Sequence, residues 1–183
     1  MSVGKKLQEL DHNIYLVGFM GAGKSTVGKI LAKKLRARFF DTDALIEMKL
    51  NKSISNIFAE KGEPCFREIE AEIVKEVASS NNAVIALGGG AVIRQENWER
   101  IKKSGITIYL KWDIKSLIPR IQGDTSRPLA QEKTGSPVNY EIEKLLLERE
   151  PFYEKADMIL NCQHDLQPEQ IADKIIHSLQ EVR

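Results

Sequence analysis

The sequence predicts an α/β fold of three layers: a central, mainly parallel, five-stranded sheet with helices on both faces. Three observations predict it. Short apolar, β-favouring runs alternate with stretches of helical periodicity along the 183 residues, and that β-α-β-α alternation implies parallel strands joined by crossover helices. The first apolar run, Ile14-Tyr15-Leu16-Val17, passes directly into a glycine-rich loop and then a helix. Residues able to carry chemistry (Asp41, Asp43 and Gly88 to Gly90) follow apolar runs, at the strand ends where ligands bind in open α/β sheets.

Size and charge narrow the function classes. A chain of 183 residues suits one domain, spanning 1–183, with 1–11 as a frayed polar lead-in. Lys plus Arg number 27 and Asp plus Glu 26, a net charge of +1, which speaks against a general nucleic-acid or anionic-membrane surface. No apolar run approaches a membrane span, and Met1 to Asp11 lacks an apolar signal core. Cys65 and Cys162 stand far apart with no C-x-x-C, as expected of a reduced, cytoplasmic chain.

Taken in order, the first strand, loop and helix run from about Asn13 to Arg36. Gly18-Phe19-Met20-Gly21-Ala22-Gly23-Lys24-Ser25 reads G-x-x-x-x-G-K-[ST], a phosphate-binding loop. Several backbone N–H groups must converge on one anion, and only glycine allows so tight a curl. The helix that follows, with Val27, Ile30, Leu31 and Leu35 on its apolar face, aims its N-terminus at the phosphates. Lys24 offers a cation to the β- and γ-phosphates, and Ser25 a hydroxyl to Mg²⁺.

A strand at Phe39 and Phe40 delivers Asp41 and Asp43. Read as extended chain, residues two apart point the same way, so both carboxylates face one site. The alternative is that either one merely caps the helix expected from Ala44 to Leu50. Helices are expected over Ser53 to Glu60 and Pro64 to Ser79, broken at Gly62. Arg67 falls in the first turn of the second, where the helix dipole disfavours a cation. It is either a functional residue or a solvated arginine paired with a neighbour such as Glu70.

The strand Ala83 to Leu87 ends in Gly88-Gly89-Gly90, which permits close approach of the backbone. A helix over Asn97 to Lys103, a strand over Ile106 to Lys111 and a helix over Asp113 to Ile121 follow. The Gly- and Pro-containing stretch Gln122 to Val138 breaks the rhythm and is expected to be a mobile flap, with Arg120 at its hinge and Arg127 within it. An arginine there either serves phosphoryl transfer or is an ordinary loop charge. A helix over Asn139 to Tyr153, a strand over Asp157 to Asn161 and a helix opened by Pro168 complete the chain.

The phosphate loop leaves three classes open: a small-molecule kinase, a GTPase-type switch, and a motor or regulatory ATPase. No N-K-x-D motif specifies guanine, and the strand that should end in Asp or Asp-Glu in a motor ends in glycines instead. A kinase fits best. The ordered series Gly18 to Thr26, Asp41-Thr42-Asp43, Gly62-Glu63, Phe66-Arg67-Glu68-Ile69-Glu70, Gly88-Gly89-Gly90, Arg127-Pro128-Leu129 and Arg149 ahead of Tyr153 resembles the shikimate kinases, from about residue 13 to the C-terminus.

That resemblance implies a P-loop kinase fold akin to the nucleoside-monophosphate kinases, with a mobile lid at 122–138 and a substrate-binding region around 33–61. It implies transfer of the γ-phosphoryl of ATP to the 3-hydroxyl of shikimate, on the route to chorismate and the aromatic amino acids. ATP would contact Gly21, Ala22, Gly23, Lys24, Ser25, Thr26, Arg120 and Arg127, with Arg120 against the adenine. Shikimate would contact Asp43, Arg67, Gly88, Gly89, Gly90 and Arg149, the two arginines clamping its carboxylate. Lys24, Asp43 and Arg127 would be catalytic, Asp43 as orienting group and base. Ser25 and Asp41 would hold Mg²⁺. The expected partners are ATP and shikimate alone, in a monomer. Ala130 stands where many relatives carry another leucine, a change of small expected consequence. The rival readings are a gluconate or nucleotide kinase of the same architecture and a non-catalytic ATP-binding module.

Overall fold

The computed structural model describes residues 12–122, 138–164 and 166–181. The lead-in at 1–11, Arg127 and all of the expected flap but its two ends lie outside the described residues. The elements are β1 (Asn13–Val17), α1 (Lys24–Leu35), β2 (Arg38–Asp41), α2 (Thr42–Leu50), α3 (Ile54–Ala78), β3 (Ala83–Ala86), α4 (Gln95–Ser104), β4 (Gly105–Lys111), α5 (Ile114–Gln122), α6 (Val138–Tyr153), β5 (Met158–Asn161) and α7 (Pro168–Glu181). The sheet order is β2-β3-β1-β4-β5, and all four pairings are parallel. The β-α alternation anticipated this, because a helix between successive strands brings each strand back in the same direction.

β1 lies at the centre and is buried at every residue. Its C-terminal end is where the strand order switches, the crevice in which such sheets bind ligands. Helices cover both faces, so the strands carry near-continuous apolar runs: Val84, Ile85, Ile108, Tyr109 and Leu110 are all buried beside Leu16. Each such side chain contributes roughly 1.5–3 kcal/mol on burial. α1 packs close on β2, since a Cβ on Gly28 would stand 2.6 Å from the Phe39 ring. No described helix is long and apolar enough to cross a membrane.

Two local expectations are refined. α3 runs through the expected break, but Gly62 inside it has φ 76° and ψ 169° and divides it into two helical pieces at the expected residue. α2 begins at Thr42, two residues before the expected start, with Asp41 as its N-cap. Asp43 therefore sits in the first helical turn, and the premise that Asp41 and Asp43 share an extended strand is wrong. An Asp carboxylate that can bond the free N–H groups of a helix start pulls the helix back toward itself.

Candidate active site

The phosphate loop is built as its pattern requires. Gly21 and Gly23 take φ of 77° and 82°, a left-handed geometry that favours glycine. Gly23 is the N-cap of α1 and supplies no side-chain cap, which leaves the first N–H groups of the helix for an anion. Lys24 Nζ reaches back over the loop to the carbonyls of Gly18 at 2.8 Å and Phe19 at 2.9 Å. Ser25 and Thr26 follow in the exposed first turn. The indole N–H of Trp112 donates to the Ala22 carbonyl at 3.1 Å and braces the loop from β4's end.

Asp41 caps α2 and also bonds Ser25. Its Oδ1 accepts from the Asp43 and Ala44 N–H groups at 3.1 and 3.2 Å, while its Oδ2 accepts from Ser25 Oγ at 2.5 Å. The capping alternative thus holds for this residue, and it leaves Oδ2 turned to Ser25. The two oxygens, Ser25 Oγ and Asp41 Oδ2, form a hard donor pair beside the phosphate loop. Among the described residues no cluster of three or more His, Cys, Asp or Glu side chains could hold a metal ion. A pair of oxygens fits Mg²⁺, which keeps waters and phosphate oxygens for its remaining positions.

Next to this pair opens a cleft of about 280 Å³. Its lining combines polar Asp43, Glu70, Arg67 and Arg149 with an apolar wall of Met20, Ile54, Phe58 and Phe66. The Phe58 and Phe66 rings pack with centroids 4.6 Å apart, so the apolar wall spans both pieces of the broken α3. Such a cleft suits a small ring with one apolar face and several polar substituents.

The three glycines after β3 form the floor. The Gly88 N–H donates to Thr42 Oγ1 at 2.8 Å, tying the floor to α2. A Cβ on Gly88 would lie 2.4 Å from Asp43 Oδ1 and 3.0 Å from Glu70 Oε1. One on Gly90 would lie 2.2 Å from Arg67 Nη1, and one on Gly89 3.6 Å from Arg149 Nη1. Asp43, Arg67 and Arg149, drawn from α2, α3 and α6, therefore converge on three consecutive residues.

Arg67 is paired with Glu70 as the bland reading anticipated, but the pair is not a solvated one. Its Nη1 donates to Glu70 at 2.8 Å, Glu70 is only 2% exposed, and Glu63 accepts from the outer edge of the guanidinium at 2.8 Å. Burial pushes the Glu70 carboxyl up to about 7, against the lowering pull of Arg67. Arg149 is almost fully buried, and its Nε has no hydrogen-bond partner among the described residues. A buried guanidinium donor without a partner is costly, so it is well suited to a ligand's oxygen.

Arg120 lies with its guanidinium carbon 3.8 Å from the centroid of the Trp112 ring. Its cation–π partner here is a side chain of the protein, where adenine was the expected one. Sequence reasoning missed Trp112, Thr42 and the apolar wall as parts of the site, and saw Glu70 only as a surface partner. Glu70's three-residue spacing from Arg67 was the available signal; nothing local marked its burial. The cysteines are both free, Cys162 buried and Cys65 half-buried outside the cleft.

Comparison with known proteins gives a consistent answer. The family model for shikimate kinase matches residues 20–180. A shikimate kinase of Rippkaea orientalis is 42% identical over 179 residues, covering 98% of this chain and 92% of that protein. The solved shikimate kinase of Acinetobacter baumannii, in complex with shikimate, superposes with a TM-score of 0.90 at 35% identity, covering 96% of each chain. A gluconokinase from Sinorhizobium meliloti superposes with a TM-score of only 0.61 at 16% identity, with 96% of this chain and 95% of that one covered, a likeness of fold alone.

Proposed function

The chain belongs to the shikimate kinase family, and from that premise we propose how its cleft works: Arg67 and Arg149 clamp the carboxylate of shikimate while Asp43 meets the hydroxyl that receives the γ-phosphoryl group of ATP. The protein is an ATP-dependent phosphotransferase acting on a shikimate hydroxyl. The reading of the site rests chiefly on one observation. Two guanidinium groups from different helices meet at adjacent glycines, one of them buried with a donor unpartnered among the described residues. A planar fork on each side of a carboxylate matches its four lone-pair sites.

The phosphate loop binds ATP through Gly21, Ala22, Gly23, Lys24, Ser25 and Thr26, and Arg120, fixed on Trp112, offers its outer face to the adenine. Shikimate lies in the cleft with its ring against Phe58 and Phe66 and its polar edge over Gly88, Gly89 and Gly90. Asp43 accepts from the 3-hydroxyl, orients its oxygen at the γ-phosphorus and takes its proton as the new O–P bond forms and the bond to ADP breaks. Lys24 and Arg127 neutralise charge on the transferred group. Ser25 and Asp41 hold Mg²⁺, which when bound supplies positive charge to the phosphate oxygens. We place the enzyme in the cytoplasm on the basis of its two free cysteines, and read it as a monomer because its sequence leaves no long apolar stripe over.

Coupled ADP release with ATP and Mg²⁺ tests this, with shikimate, gluconate and a nucleoside monophosphate as parallel acceptors. Turnover should appear with shikimate alone. Turnover with gluconate or the nucleotide in its place would overturn the substrate assignment, and nucleotide binding without any turnover would overturn the catalytic one.

A further inference from the structure

The expected clamp names two arginines but not what holds them. Arg67 is held by Glu70 and Glu63 on its own helix. Among the described residues Arg149 has no salt-bridge carboxylate; what stands beside it is Tyr153, one helical turn on. Residues four apart on a helix share a face, so both side chains leave α6 toward the glycine floor.

Tyr153 is fully buried, with its ring centroid 5.3 Å from that of Tyr109. Its hydroxyl donates to the Gly89 carbonyl at 2.5 Å, and the Arg149 guanidinium stands beside it, its positive charge acting on the hydroxyl. Tyr153 Oη and Arg149 Nη1 each stand 3.6 Å from the point a Cβ on Gly89 would occupy. Burial pushes this hydroxyl up to about 12, so it keeps its proton and can donate and accept at once. The end of α6 is itself fastened by Lys111, which bridges Glu150 at 3.0 Å and Glu154 at 2.7 Å.

We propose that Tyr153 is a positioning residue for the substrate carboxylate: its buried hydroxyl locks the Arg149 guanidinium to the backbone of the glycine floor, so that the arginine waits in its binding pose. The inference rests on the reading of the cleft as the shikimate site. An arginine side chain has many rotamers, and ordering one on binding costs affinity. A hydroxyl already anchored to Gly89 removes that cost before the substrate arrives. The same bond sets the distance between the arginine and the floor, which a phenylalanine ring of the same shape could not do. A tyrosine that merely filled the core would need no such carbonyl partner beside a buried arginine.

The test is shikimate affinity, by calorimetry on the whole protein, in four forms: parent, Tyr153→Phe, Arg149→Ala and the double variant. Tyr153→Phe keeps the ring and its contact with Tyr109. It should weaken shikimate binding about 10- to 100-fold in the parent background, the size of one hydrogen bond to a charged group. In the Arg149→Ala background the same change should cost less than twofold, and ATP binding should be unmoved in both. An equal loss in the two backgrounds would reduce Tyr153 to a packing residue, and a loss of less than fivefold in the parent would also overturn the proposal. If the parent itself binds no shikimate, the substrate reading fails instead, and the two failures remain distinct.

Discussion

Gly90→Ala should disable the carboxylate clamp without touching any charged group. Gly90 is not among the positive-φ glycines, so its backbone accepts an alanine without strain. The new Cβ, however, would stand 2.2 Å from Arg67 Nη1 and 2.7 Å from its Cζ and Nη2. Ordinary contact needs about 3.5 Å, so the guanidinium must retreat by about 1 Å. It cannot do so freely, because Glu70 and Glu63 hold it from two sides at 2.8 Å each. A misplacement of about 1 Å in a positioning group costs roughly 10²-fold, or about 2.7 kcal/mol at 1.36 kcal/mol per decade. We therefore expect kcat/KM for shikimate to fall about 100-fold, mostly through KM, with the KM for ATP unchanged. Because the clash is relieved by a side chain and not by the backbone, the melting temperature should move by no more than a few degrees. Coupled ADP release at varied shikimate measures the first, thermal unfolding the second. A kcat/KM within threefold of the parent would show that Arg67 does not need its observed place, and the clamp argument would fail with it.

Other perturbations separate the remaining roles. Gly88→Ala places its Cβ 2.4 Å from Asp43 Oδ1, so steady-state assays should show the loss in kcat, and a pure KM effect would remove Asp43 from the reacting end. Asp41→Asn keeps a capping oxygen for α2 but loses the charge beside Ser25; half-saturating free Mg²⁺ should rise about tenfold or more, and an unchanged Mg²⁺ titration would refute the metal role. Glu70 holds its proton more tightly folded, near 7, than unfolded, near 4.5. Its contribution to stability is therefore full below pH 4.5 and is lost as pH rises to 7. The parent should lose on the order of 1–3 kcal/mol relative to Glu70→Gln between pH 5 and 8, read from urea unfolding at each pH, and parallel profiles would contradict it. Arg127→Ala should lower turnover about 10³-fold with shikimate affinity nearly intact; a fall below tenfold would strike it from the catalytic set.

The parts of this molecule that could be read from its sequence are those whose chemistry is local. The phosphate loop is legible because the loop that cradles an anion must carry glycines at Gly21 and Gly23 whatever surrounds it. The strands are legible because a parallel sheet covered on both faces leaves little room for polar residues in β1 or β3. The break in α3 is legible because Gly62 is the residue that can leave the helical region. Asp41 and Asp43 were placed together for the wrong reason. Alternation along a strand predicts it, but the first turn of α2, started by Asp41 itself, is what brings them to one cleft.

What escaped the sequence is long-range. An arginine three residues before a glutamate looks the same whether the pair is solvated or, like Glu70, sealed against the glycine floor; burial decides it, and burial depends on α2, α3 and the floor meeting. The hydroxyl of Tyr153 is invisible for the same reason, since its partner at Gly89 lies 64 residues away. This division follows from function. Groups that touch phosphate are dictated by the phosphate, and their spacing recurs as a pattern. Groups that shape the acceptor pocket come from three helices and a loop, and only the packed sheet brings them to the same three glycines. Substrate choice within this fold should therefore depend more on contacts such as Gly90 against Arg67 and Gly89 against Tyr153 than on the phosphate loop. That is why substitutions at Gly89 and Gly90 should change the acceptor KM while leaving the nucleotide's alone.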